Sequence, residues 1–161
     1  DFLFGTFCVE RDEFIDFTDS FLVDNVDQFA YAGGLGGPSP DPLNEETAWM
    51  FWQYYTGAYV LTDGTAAANL QDAIWFAEQE LGAMSAGATA IYNAAIAATT
   101  GAMPWVNNGR VAIVTLLDVD SPATPAQDIL VAVPEPTTIL LSGLGLLGMG
   151  AFLRRKYRNK G

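Results

Sequence analysis

The rhythm of apolar and polar positions changes several times along the chain, and each rhythm predicts an element. Phe2–Glu10 reads FLFGTFCVE, an apolar and aromatic run suited to a strand. From Phe14 to Tyr31 apolar residues alternate with acids, the pattern of one or two half-exposed strands. Residues 33–42, GGLGGPSPDP, break both periodicities and predict a loop. Asn44 then precedes Glu45 and Glu46, a capping residue followed by acids that suit the positive end of a helix dipole. That helix is expected to run towards Gly57. Trp49, Trp52, Tyr55 and Tyr59 recur at helical spacing, as do Ile91, Ala95 and Ala98, and are expected to face a core. Thr62-Asp63-Gly64 predicts a turn, followed by a second helix from about Thr65 to Leu81 that stops at Gly82. An alanine-rich third helix covers roughly 85–100, and Val111–Val119 and Ile129–Val133 read as strands around a Pro-containing loop. No internal repeat is present. The order of strands, helices and strands predicts an α+β fold. Its body, residues 1–132, is expected to be a strand–helices–strand domain with a sandwich- or barrel-like sheet and a helical insertion.

The C-terminal segment has a different rhythm. Thr137–Leu153 is 17 residues without a charge, at the short limit for crossing hydrocarbon, and RRKYRNK follows it. Arg154, Arg155, Lys156, Arg158 and Lys160 would hold residues 154–161 on the cytoplasmic side and leave the body outside. A buried core helix is the other reading of so short a run, but such a helix has no reason to end in five bases. In Val133-Pro134-Glu135-Pro136 two prolines fix φ and remove amide donors, so residues 133–136 form an extended linker that a processing enzyme can grip. The charge divides at the same place. Residues 1–133 hold 18 of the 19 acids and two bases, Arg11 and Arg110, a balance of −16, whereas the remainder carries +4.

Linker, short Gly-rich span and basic end, in that order over residues 133–158, resemble the PEP-CTERM sorting signal of Gram-negative bacteria. The resemblance implies export, inner-membrane anchoring through residues 137–153, and recognition at Pro134, Glu135 and Pro136 by a membrane-embedded exosortase. Removal of the tail on the way to the cell surface or matrix would follow. An exported chain is expected to begin with a secretory leader. Asp1 has neither Met nor an apolar run at its start, so the sequence reads as a mature form or a fragment.

Composition narrows the chemistry. There is no histidine and one cysteine, which removes Ser-His-Asp and Cys-His hydrolases, thiolate metal cages and an internal disulfide. Neither a cofactor nor a metal is expected. The net charge of −12 argues against nucleic-acid partners. Glu10, Asp12, Glu13, Asp16, Asp19, Asp24 and Asp27 crowd one region, and Asp118 and Asp120 alternate on a late strand. Without EF-hand spacing they read as a solvated acidic face rather than a calcium site. Nothing selects a pair of carboxylates for glycoside hydrolysis.

The remaining candidate pairs Cys8, on the first strand, with Gln71, on the second helix. A cysteine sulfur attacking a glutamine carboxamide expels ammonia and leaves an internal thioester, provided the groups touch and water is excluded. Phe4, Phe7, Trp75 and Phe76 could provide that shielding. Read from the residues alone, the simpler account of the pair is an inert core thiol and a solvated helix glutamine. The aromatic-Cys strand together with Gln71, Ala73, Ile74 and Trp75 resembles the thioester (TQXA-type) domains of bacterial surface adhesins. Leu70 stands where that family has threonine, and Gln53 is a loose match to a further element. The resemblance implies a Cys8–Gln71 thioester supported by Phe7, Ala73, Ile74 and Trp75. It would attach once, without turnover, to an amine or hydroxyl on a polysaccharide or protein. The absence of lysine before position 156 would prevent cross-linking between bodies, and serves solubility equally well. The alternatives are a non-covalent matrix protein with a buried inert Cys8 and a carbohydrate-binding module using Trp49 and Trp52.

Overall fold

The computed structural model describes residues 5–13, 15, 19–31, 38–121 and 125–133. Within them the elements run β1 (Phe21–Asp27), β2 (Phe29–Ala30), β3 (Asp41–Pro42), α1 (Glu45–Tyr55), α2 (Gly64–Ala77), α3 (Ala86–Thr99), β4 (Val111–Asp118) and β5 (Pro125–Ala132). The order is the mixed strand–helix–strand order expected from the sequence.

β4 is the apolar run VAIVTLLD, and such a run needs cover on both faces. It lies at the centre of an antiparallel sheet ordered β1-β4-β5. Its alternate residues point opposite ways. Val111 and Ile113 join Phe51, Leu70, Ile74 and Leu130 in the main core, while Val114 and Leu116 pack with Ile129, Ile15 and Phe21 in a second cluster. On its other side β5 is met by the chain around Cys8, which bridges Ile129 antiparallel. Leu130 N–H donates to Phe7 O (3.0 Å) and Val9 N–H donates to Asp128 O (2.8 Å). β1 is an exposed edge whose register shifts between Val23 and Asn25, a bulge that blunts further pairing.

Several expectations are corrected. Among the described residues the strands make one three-stranded sheet and a two-stranded β2-β3 ribbon, not a sandwich or barrel, because the helices cover the face that a second sheet would need. Asp41 and Pro42 leave the expected loop to pair with Ala30 and Phe29, and Leu43 N–H fixes the end of the ribbon on Gln28 O (2.8 Å). Of the first predicted strand, only the Cys8 bridge is formed among the described residues. β5 begins at Pro125 rather than Ile129, since β4 supplies partners along that whole length. Tyr55 is 58% exposed and leaves the core-facing stripe, whereas Trp49, Trp52 and Tyr59 pack against the core.

α2 ends at Ala77, short of the expected Leu81. Glu80 N–H donates to Trp75 O and Gln79 N–H to Phe76 O, with Gln79 at a φ of 66°. This pattern satisfies the last carbonyls of a helix and reverses the chain. No helix among the described residues is long and apolar enough to cross a membrane. The expected span 137–153, the Pro134-Glu135-Pro136 linker and the bases Arg154, Arg155, Lys156, Arg158 and Lys160 lie outside the described residues.

Candidate functional site

Two elements bring Cys8 and Gln71 together. The bridge to Ile129 fixes the main chain of Cys8 at the sheet edge. α2 is anchored at its start by Asp63, whose side chain accepts from Ala66 N–H (2.8 Å), and it buries Leu70, Ala73 and Ile74. Gln71 flanks that apolar stripe and therefore faces the sheet edge rather than open water. Its carboxamide is held at both atoms: Oε1 accepts from Cys8 N–H (3.0 Å), and Nε2 donates to Cys8 O (2.8 Å). The carboxamide thus sits on the same residue that carries the thiol.

The other residues of the expected motif are buried or half-buried in the body. Phe7 is buried and meets the Tyr54 ring edge-on at 5.2 Å. Tyr54 in turn lies over Gly5, so closely that a Cβ there would fall 1.8 Å from its hydroxyl. Ala73 and Ile74 are fully buried, and Trp75 is half-buried with Nε1 out of water and without a hydrogen-bond partner among the described residues. Leu70, in place of the family's threonine, is a core residue. Gln53 is not at the site: with Trp49, Tyr59 and Ile91 it lines a separate cavity of about 300 Å³ between the helices.

The electrostatics depart from the sequence reading. Glu10 is not on a solvated face but 5% exposed, and its titratable neighbours are Glu80, Glu13 and Asp128, all acids. Glu80 arrives there through the chain reversal after α2, and its Oε2 accepts from Arg11 N–H (3.2 Å). Burial, then the charge of Glu80 and a hydrogen bond with it, push Glu10 up to about 9. Glu13 is pushed up to about 7, first by burial and then by the Asp128 charge, against a hydrogen bond from the Asp128 main chain. Burial and the Glu13 charge raise the Cys8 thiol above its ordinary range. Among the described residues no group of three or more acids or thiols is placed to hold a metal ion. Glu13 and Glu80 were not legible as parts of the site, because one is reached by a bend in the first segment and the other by a helix ending earlier than its periodicity suggests.

No curated protein and no solved structure matches the chain. Residues 132–156 match the family model described as the PEP-CTERM protein-sorting motif, and that span includes Pro134, Glu135, Pro136, Arg154, Arg155 and Lys156. The match covers the sorting segment and says nothing of the body. The chain carries an exosortase-dependent sorting signal, that of an exported protein anchored at the membrane before it is processed to the cell surface.

Proposed function

We propose that the exported body attaches covalently to an extracellular acceptor through an internal thioester, with Cys8 as acyl carrier and Gln71 as acyl donor. The supporting observation is the two-point hold of the Gln71 carboxamide on the Cys8 main chain. Attack of Cys8 Sγ on Gln71 Cδ forms the C–S bond, breaks the C–N bond and releases ammonia. The Cys8 N–H already bonds Oε1, where negative charge develops during that attack. An amine or hydroxyl on a polysaccharide or protein then takes the acyl group as an amide or ester and frees the thiol. This is one attachment event rather than enzymatic turnover.

Intact-mass spectrometry of the folded chain in mild detergent tests the reading. The wild type is expected to be lighter than its sequence by one ammonia, and methylamine should add at Gln71 while exposing one titratable thiol. Cys8→Ala should show the full sequence mass and no methylamine uptake; Gln71→Ala should also take up none, with Cys8 titratable. A full-mass wild type with a readily alkylated Cys8 overturns it.

The raised thiol favours a second reading, a non-covalent surface or matrix protein in which Cys8 is inert and Gln71 pins the first segment to α2. The same measurement separates the two. A carbohydrate platform gains no support from Trp49 and Trp52, which pack against the core; the Arg110 guanidinium also lies 5.9 Å from the Trp52 ring centre.

A further inference from the structure

Joining a thiol to a carboxamide needs a group that removes the sulfur proton and returns it to the departing nitrogen. The chain has no histidine to do so, and the Cys8 thiol is itself raised by its surroundings, so a spontaneous thiolate is scarce. A carboxyl lies within electrostatic reach of it, that of Glu13. After the Cys8 bridge the chain bends at Val9, Arg11 and Asp12 and doubles back, so Glu13 reaches the same stretch of β5 that Cys8 faces. Cys8 bridges Ile129, Val9 N–H donates to Asp128 O, and the Glu13 carboxylate accepts from the Asp128 main-chain N–H. Glu13 Oε2 is buried and has no hydrogen-bond partner among the described residues.

We propose that Glu13 is the proton carrier of thioester formation, taking the Cys8 Sγ proton as sulfur attacks Gln71 Cδ and delivering it to Nε2 as the C–N bond breaks. The inference rests on the covalent reading above. The sulfur lone pair becomes the C–S bond, and the C–N electron pair leaves with nitrogen. The proton lent to Glu13 completes the ammonia, so Glu13 ends as it began. No other reactant is consumed.

The groups facing Glu13 agree with this role. Glu10 and Cys8 face it from its own segment, Asp128 from β5 and Glu80 from the turn after α2. Being surrounded by burial and acids holds Glu13 at about 7, where a carboxyl both accepts and returns a proton near neutrality. Glu10, at about 9, stays protonated through that range. Glu78 also titrates near 7, but it is bonded to Asn44 at the start of α1 and serves as a control.

The test follows formation of the bond. Full chain isolated from inclusion bodies in acidic denaturant, with thiol and carboxamide intact, is refolded into mild detergent at a series of pH values from about 5.5 to 8.5. Loss of ammonia is read by quenched intact mass, and folding by tryptophan fluorescence. The wild-type rate is expected to rise about tenfold per pH unit up to about 7 and then level. Glu13→Gln should slow it on the order of 100-fold and abolish the rise, while Glu13→Asp and Glu78→Gln keep it. A pH-independent wild-type rate overturns the role of Glu13 without any variant, as does an unaltered profile in Glu13→Gln or a profile lost in Glu78→Gln. A wild type that folds but never loses ammonia overturns the covalent reading itself, and Glu13 falls with it. Loss of ammonia by the wild type together with an unaltered Glu13→Gln profile removes Glu13 alone.

Discussion

Glu10 shows how a single residue can have a protonation state opposite to that expected for its type. A carboxylic acid with three acids for titratable neighbours and little access to water is held neutral, and it shares a hydrogen bond with Glu80. In the unfolded chain the same group releases its proton near the ordinary carboxylate range. The folded state therefore binds a proton that the unfolded state has lost, and the stability Glu10 contributes is present at low pH and disappears as pH rises through about 9. Glu10→Gln keeps a donor towards Glu80 but has no charge to bury. Urea unfolding should show this variant within about 1 kcal/mol of wild type at pH 4, by the usual scale for an exchanged neutral hydrogen bond, and increasingly more stable than wild type as the pH is raised to 9. Parallel behaviour of the two proteins at both pH values would contradict the buried, protonated state.

At the scale of the element, α2 carries one half of the candidate site, and both its ends are defined by identifiable contacts. Asp63 accepts from Ala66 N–H, so Asp63→Ala should destabilise the fold by about 1 kcal/mol, measured by denaturant unfolding. The same variant should raise the free-thiol reactivity of Cys8 wherever the Gln71 contact loosens. At the other end, Gln79 occupies the left-handed position where glycine is usual, and its side chain is exposed. Gln79→Gly removes that strain and no contact; an increase in stability of up to about 1 kcal/mol is expected. A loss would mean that the Gln79 side chain contributes to the turn that delivers Glu80. Gly87, next to α2 in the packing of α3, tolerates no side chain without displacing Asn69, whose Oδ1 already accepts from Ser85.

For the whole molecule, the raised acids act together. Glu13 and Glu78 sit near 7, Glu10 near 9, and Asp41 and Asp128 are shifted the same way by burial. Each binds a proton in the folded state above the pH at which the unfolded chain has released it. The melting temperature should therefore fall steadily from about pH 5 to pH 9, with self-repulsion in a chain of net charge −12 adding in the same direction. A melting temperature that rises over this range would show that the buried acids are ionised and compensated. The sorting segment makes a separate prediction. Changing Pro134, Glu135 and Pro136 together to alanine removes both proline restraints on φ and puts strong helix formers in their place. The chain should then accumulate in host membranes at its uncleaved mass, visible by immunoblot, and normal release would contradict the role of the motif.

Local pattern in the sequence determined the helices, the alternation of β1, the apolar run of β4 and the sorting segment, because each depends on residues close in the chain. A capping residue at Asn44 before two acids, a turn at Thr62-Asp63-Gly64, and a proline pair beside a basic tail are short-range signals. Cys8 and Gln71 were recognisable as candidates by type, but their contact across 63 residues was not set by either segment. That contact depends on β5 receiving the first segment at Ile129 while α2 buries its stripe against the same core. The buried acids were hidden for the same reason. An acid at position 10, 13 or 80 reads as solvated until the bend after Cys8 and the reversal after Ala77 turn it inward. Only tertiary packing sets how much water each carboxyl keeps and which charges face it, and those two quantities decide its protonation.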